Sequence, residues 1–199
     1  TGKYQLDVNE LRAAFLQSAR ATDRIRDFRL ARISRIAAGE VGVQFPTGVF
    51  LVWHLMPISE WTGFSYDNIA KLRDSHLRPM GNVWGWRPQI NFDGMMITST
   101  SKQGVVHSYV QVFRNGSIEA VVIYPFMEGG KVIHPVFENT LREGFLMYRQ
   151  AFRVLGIDPP YYVALSLLNV GGFTTYPAQD PYGNLKCQGV IDRPHLLLP

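Results

Sequence analysis

One cysteine in 199 residues, Cys187, leaves no partner for an internal disulfide and no paired spacing that could hold zinc or an iron–sulfur cluster. Hydrophobic runs are short. None approaches the roughly 20 residues needed to span a bilayer, and the opening TGKYQLDVNE lacks the basic-then-apolar order of a signal peptide. Charge is sparse and close to balanced: 18% of residues are charged and the net charge is +4, which permits a nucleic-acid partner without demanding one. The phosphate loops GxGxxG and GxxxxGK[ST], a GxSxG elbow and histidine pairs at HxH or HxxxH spacing are missing. These gaps predict a reducing, cytoplasmic setting away from membranes. No catalytic residue, cofactor or metal ion is expected.

Apolar and aromatic side chains are plentiful, at 46% and 13%. They can offset the conformational entropy lost in ordering one core, so a single domain over residues 1–199 is expected. The abrupt opening ahead of a helical segment and the close on HLLLP read as a piece of a larger protein.

Leu11, Phe15, Ile25 and Ile36 recur at helical spacing between Asp7 and Gly39, with Asp7 and Glu10 set as a capping box and Gly39 as terminator. A long helix follows, with Thr22 and Asp23 as the one place it could divide. Val49 to Met56, VFLVWHLM, reads as a strand covered on both faces and ended by Pro57. SYDNIAKLRDSHLR predicts a short helix capped by Ser65, and PMGNVWGWRP a turn-rich loop. The run HSYVQVFRNGSIEAVVIY predicts a hairpin about Asn115-Gly116. A two-residue type I′ turn there sets Phe113 opposite Ile118, Val112 opposite Glu119 and Val110 opposite Val121. INFDGMMITST supplies a third antiparallel strand. Phe137, Leu141, Phe145, Tyr148 and Phe152 mark a second long helix closed by Gly156, after which YYVALSLLNV and LKCQGVI read as further strands. The expected class is α+β: a largely antiparallel sheet of about five or six strands, packed by two long helices.

Three groups of polar residues are candidates for function. Arg20, Arg24, Arg26, Arg29, Arg32 and Arg35 crowd the first helix, and Arg20, Arg24 and Arg35, together with Trp84 and Trp86 of the tryptophan-rich loop, form the nucleic-acid-binding alternative. At 100° per residue, Arg29 and Arg32 instead fall in or beside the apolar stripe, where a structural role with an intramolecular partner is expected. His54, inside an apolar strand, is read as structural for the same reason, against a base paired with a carboxylate in space. The tract WGWRPQINFDG offers Trp84, Trp86, Arg87, Asn91 and Asp93 as a ligand-binding set, because indole faces beside Arg and Asn can grip a planar ligand.

Four segments carry a family resemblance: FRLARISRIAAGE, LVWHLMPISEW, LRPMGNVWGWRPQINFDG and YVQVFRNGSIEAV. In order and spacing they resemble the C-terminal region of bacterial proteins whose N-terminal part is a Schlafen/AlbA-type DNA-binding or ATP-binding domain. The resemblance spans roughly Ala14 to Tyr124, with a looser echo that includes RPHLLLP. It implies that nucleic-acid or nucleotide chemistry belongs to the N-terminal domain, so no active-site residue transfers onto this chain. A non-catalytic accessory domain is implied instead. Its job would be to dock on the neighbouring domain of the same polypeptide or on a protein partner, to self-associate as a homo-oligomer, or to sense a ligand.

Overall fold

The computed structural model describes residues 7–59, 64–75, 77–81, 85–124, 132–133, 137–175 and 189–198. Helix α1 (Val8–Ala38) is continuous through Thr22 and Asp23. The Asp7 amide donates to Glu10 Oε2 at 2.9 Å, and Gly39 closes the helix at φ 72°. Strand β1 (Val49–Pro57) follows, then a short helix α2 (Tyr66–Ala70) whose Asn68 amide is capped by Ser65 Oγ, and a 3₁₀ turn over Lys71–Asp74. Four strands form a meander: β2 (Trp86–Asn91), β3 (Gly94–Thr100), β4 (Val106–Phe113) and β5 (Ile118–Tyr124). The chain continues through β6 (Val132–Ile133), α3 (Phe137–Leu155), β7 (Tyr161–Leu168), β8 (Thr174–Thr175) and β9 (His195–Leu198).

Seven strands make one antiparallel sheet in the order β2-β3-β4-β5-β1-β7-β9, while β6 and β8 pair in parallel as a separate ribbon. The class is α+β, but the expectation of five or six strands packed by two long helices needs correction. Besides α1 and α3 there are the short helix α2 and the 3₁₀ turn, and the main sheet is wider because both its edges depart from expectation. Trp86–Pro88, expected as a loop, opens the edge strand β2, and INFDGMMITST, expected as one strand, is divided between the end of β2, a turn at Phe92 and Asp93, and β3; the polar, proline-bearing sequence of β2 suits a strand paired on one side only. His195–Leu198 forms the opposite edge, β9, against β7. Most of LKCQGVI lies outside the described residues.

β1 is an interior strand between β5 and β7, and every residue in it is buried. Strand alternation sends Leu51, Trp53 and Leu55 to the face covered by α3, where Tyr148 and Phe152 are fully buried. Phe50 and Val52 point to the opposite face, against Ile33 and Ile36 of α1. The sheet is thus covered on both sides, which explains why β1 reads as an unbroken apolar run rather than an alternating one.

The β4–β5 hairpin forms with a register one residue away from expectation. Within its loop only Gly116 takes positive φ, at 84°. Arg114, Asn115 and Gly116 form a three-residue loop, closed by Phe113 N donating to Ser117 O at 2.8 Å and by Ser117 N donating to Asn115 Oδ1 at 2.9 Å. Gln111 therefore faces Glu119, and Val112 faces Ile118. This shift puts Glu119 on the α1 side of the sheet beside Tyr109.

Candidate functional site

Four polar side chains meet between α1 and the sheet, each delivered by a different element. Glu119 of β5 accepts from Arg32 of α1 twice, from Nε to Oε2 at 2.9 Å and from Nη2 to Oε1 at 2.8 Å. The Tyr109 hydroxyl of β4 donates to Oε1 at 2.7 Å, and His54 Nε2 of β1 lies 3.0 Å from Oε2. Glu119, His54 and Tyr109 are 0% exposed and Arg32 is 7% exposed. Phe113 lies under the guanidinium, 4.8 Å from its carbon, and Phe28 packs edge-on against both Phe113 and His54.

The electrostatics follow from this enclosure. Burial alone would raise the Glu119 pKa, but the Arg32 hydrogen bonds and then the His54 contact outweigh it and bring it from 4.5 down to about 2. For Arg32, burial works against the cation, yet the Glu119 contacts hold its pKa above the ordinary guanidinium value. Burial first, and then the Glu119 charge, push the Tyr109 phenol well above its usual range. His54 Nδ1 is buried with no hydrogen-bond partner among the described residues, which fits the tautomer that carries its proton on Nε2 and donates it to Glu119. A histidine held by a carboxylate is the beginning of a general-base pair. Here neither imidazole nitrogen reaches solvent, so the quartet binds α1 to the sheet and offers no surface to a substrate.

Arg29 enters the same interface one turn earlier but meets no carboxylate among the described residues. It donates to Leu165 O at 2.9 Å and to Ser166 Oγ at 3.1 Å, and it also reaches Leu198 O at the outer strand. Arg24 donates to Ile58 O and Ser59 O, just past the end of β1, and Arg26 bridges Asp23 at 3.1 Å. Arg20 and Arg35 are exposed. They lie 15 residues apart, about 22 Å along the helix at 1.5 Å per residue, and do not form one patch.

The ligand-binding set from the tryptophan tract is divided by strand alternation. Trp86 and Pro88 face the α3 side with Ile97, whereas Arg87 and Asn91 point to the α1 side. The Asn91 amide exchanges hydrogen bonds with Gln111 at 2.8 and 3.3 Å and accepts from the Gly94 amide, so its polar atoms serve the hairpin. Asp93 sits in the β2–β3 turn, where its carbonyl accepts from Arg114 N. Trp84 lies outside the described residues. Among the described residues, no group of three or more His, Cys, Asp or Glu is placed to hold a metal ion, and no helix is long and apolar enough to cross a membrane.

Helix α1 extends beyond the surface it packs on. Among its described side chains the first buried one is Ala21, so residues 8–20, about 20 Å of helix at 1.5 Å per residue, precede the part that packs on the sheet, and Arg24 already reaches Ile58 O where β1 finishes. Leu11 and Phe15 continue the angular positions of Arg29 and Ile33, yet Phe15 is 74% exposed. The core-facing stripe outlasts the core.

No protein-family model, curated protein or solved structure matches the chain.

Proposed function

We propose that this chain is a non-catalytic accessory domain of a larger bacterial nucleic-acid-related protein, and that the first turns of α1 dock it on the neighbouring domain. The observation that carries the reading is the pair Leu11 and Phe15, exposed on a helix whose later turns bury the same face at Arg29 and Ile33. A folded monomer has no use for that apolar surface; a helix laid against a second body does. The resemblance to regions that follow a Schlafen/AlbA-type domain supplies an occupant, because α1 is the element such a domain would meet first. The enclosure of Glu119, His54 and Tyr109 supports the non-catalytic part, since this convergence of titratable groups is out of reach of solvent.

Hydrogen exchange tests the docking. Amides of residues 8–20 should exchange rapidly in the chain alone and become protected in the polypeptide that carries the preceding domain, and Phe15→Glu should remove the protection without unfolding the sheet. Equal exchange in the two contexts would refute the reading, as would phosphodiester or phosphomonoester turnover by the chain that Glu119→Gln abolishes.

A further inference from the structure

We infer that a hollow between β2 and α3 binds a planar organic anion, a flat ring carrying a carboxylate or phosphate. The hollow has a volume of about 390 Å³ and is lined by Ser75, Arg78, Trp86, Met147 and Gln150. That is room for one ring system with its substituent, within the usual range for small-molecule sites. This inference does not depend on the docking reading, because the hollow lies on the α3 side of the sheet and α1 covers the other.

The lining residues have complementary chemistry. Trp86 is 47% exposed on an edge strand, where its indole offers a stacking face that the protein itself leaves open. Arg78 supplies a fork of donors whose fixed positive charge favours an anionic ligand. Gln150 can donate to or accept from polar atoms on a ring edge, and Met147, one turn earlier on α3, gives an adaptable apolar floor.

The site is also held in place. In the stretch from Leu77 to Met80, Leu77, Pro79 and Met80 are buried and Arg78 alone is exposed. The buried Tyr148 hydroxyl donates to Arg78 O at 3.4 Å. The backbone on both sides of the cation is therefore fixed by the core while its side chain is presented outward. Trp86 and the Met147–Gln150 turn stand on a strand and a helix, so binding requires little ordering of the protein.

Titration of the chain with adenosine 5′-monophosphate and with indole-3-carboxylate, followed by amide and indole N–H chemical shifts, tests the inference and separates phosphate from carboxylate ligands. At least one probe should saturate below about 5 mM and shift the Trp86 indole and Gln150 amide signals. Arg78→Gln and Trp86→Ala should each weaken it about tenfold or more, with uncharged adenosine or indole weaker than its anionic counterpart by a similar factor. Arg78 is exposed, so Arg78→Gln leaves the fold intact and reads binding even if Trp86→Ala loosens the sheet edge. Absence of saturation by both probes, or binding that Arg78→Gln leaves unchanged, would overturn the assignment.

Discussion

Replacing Glu119 with glutamine removes one negative charge from a place where three partners require it. No water reaches the introduced carboxamide in this arrangement. Its single oxygen cannot accept from both Arg32 nitrogens, Tyr109 and the His54 Nε2 proton, and its own NH2 finds an acceptor only if Tyr109 or His54 gives up its donor role. The guanidinium is left buried without its counter-ion, a defect that costs about 3–5 kcal/mol. The pH dependence gives an independent handle. The folded pKa of Glu119, about 2, lies below the unfolded 4.5, so its contribution is whole above about pH 5 and is lost as pH falls through 4.5 toward 2. Integrated over a gap of about 2.5 pH units, at about 1.4 kcal/mol each, that is about 3–4 kcal/mol, in line with the cost of leaving the cation alone. Urea unfolding of wild type and Glu119→Gln at several pH values between about 3 and 7 measures both quantities. The variant should be less stable by several kcal/mol at pH 7, and the difference should shrink as the pH falls. Variants within about 0.5 kcal/mol of each other at pH 7, or a gap that does not change with pH, would refute the account of the quartet. The double variant Arg32→Met with Glu119→Leu should recover much of the loss, because no charge is then stranded.

Gly94→Ala should destabilise by about 2–4 kcal/mol, since a Cβ there would clash with the Val112 carbonyl oxygen at φ 147°. Gly104→Ala, also at positive φ but with nothing within 4 Å, should lose only about 1 kcal/mol, and thermal unfolding of the pair separates the close approach from backbone strain. The chain should bind single- and double-stranded oligonucleotides weakly, because Arg24 and Arg26 are held by main-chain and carboxylate partners. A titration at low salt checks this, and tight binding with a steep salt slope that Arg20→Gln and Arg35→Gln flatten would restore the nucleic-acid alternative.

Elements with a strong local signature were legible in the sequence. The cap pair Asp7 and Glu10, the terminator Gly39, the stripe of α3 and the apolar run of β1 each follow from interactions within a few residues. What failed depended on choices made elsewhere in the chain. Trp86–Pro88 belongs to a strand because β3 pairs with it; its own arginine and proline, following Gly85, say loop. Asn115-Gly116 correctly marked a hairpin, but the loop uses three residues rather than two, and one residue reverses every face. That reversal concealed Glu119. Its signal was still present in the chain, as three lone polar residues in apolar surroundings: Arg32 within a stripe, His54 within FLVWHLM and Glu119 within SIEAVVIY. Each such residue needs a partner, and together they could supply one another. The overhang of α1 was beyond sequence reasoning for a different reason, since periodicity reports which face of a helix is apolar and not where the surface beneath it ends.

The quartet and the overhang are linked mechanically through α1. Apolar packing alone would let a helix slide or rotate on a sheet at modest cost, because such contacts are exchangeable and carry no direction. A carboxylate held from two sides by Arg32, with Tyr109 and His54 filling its remaining acceptor sites, has one satisfied arrangement. Arg29 adds a second fixed point toward β7 and β9, and Arg24 a third at the end of β1. Three arginines spaced along α1 therefore set its register, its rotation and the direction in which residues 8–20 leave the sheet. Buried polar contacts fix that direction where hydrophobic burial would supply stability alone.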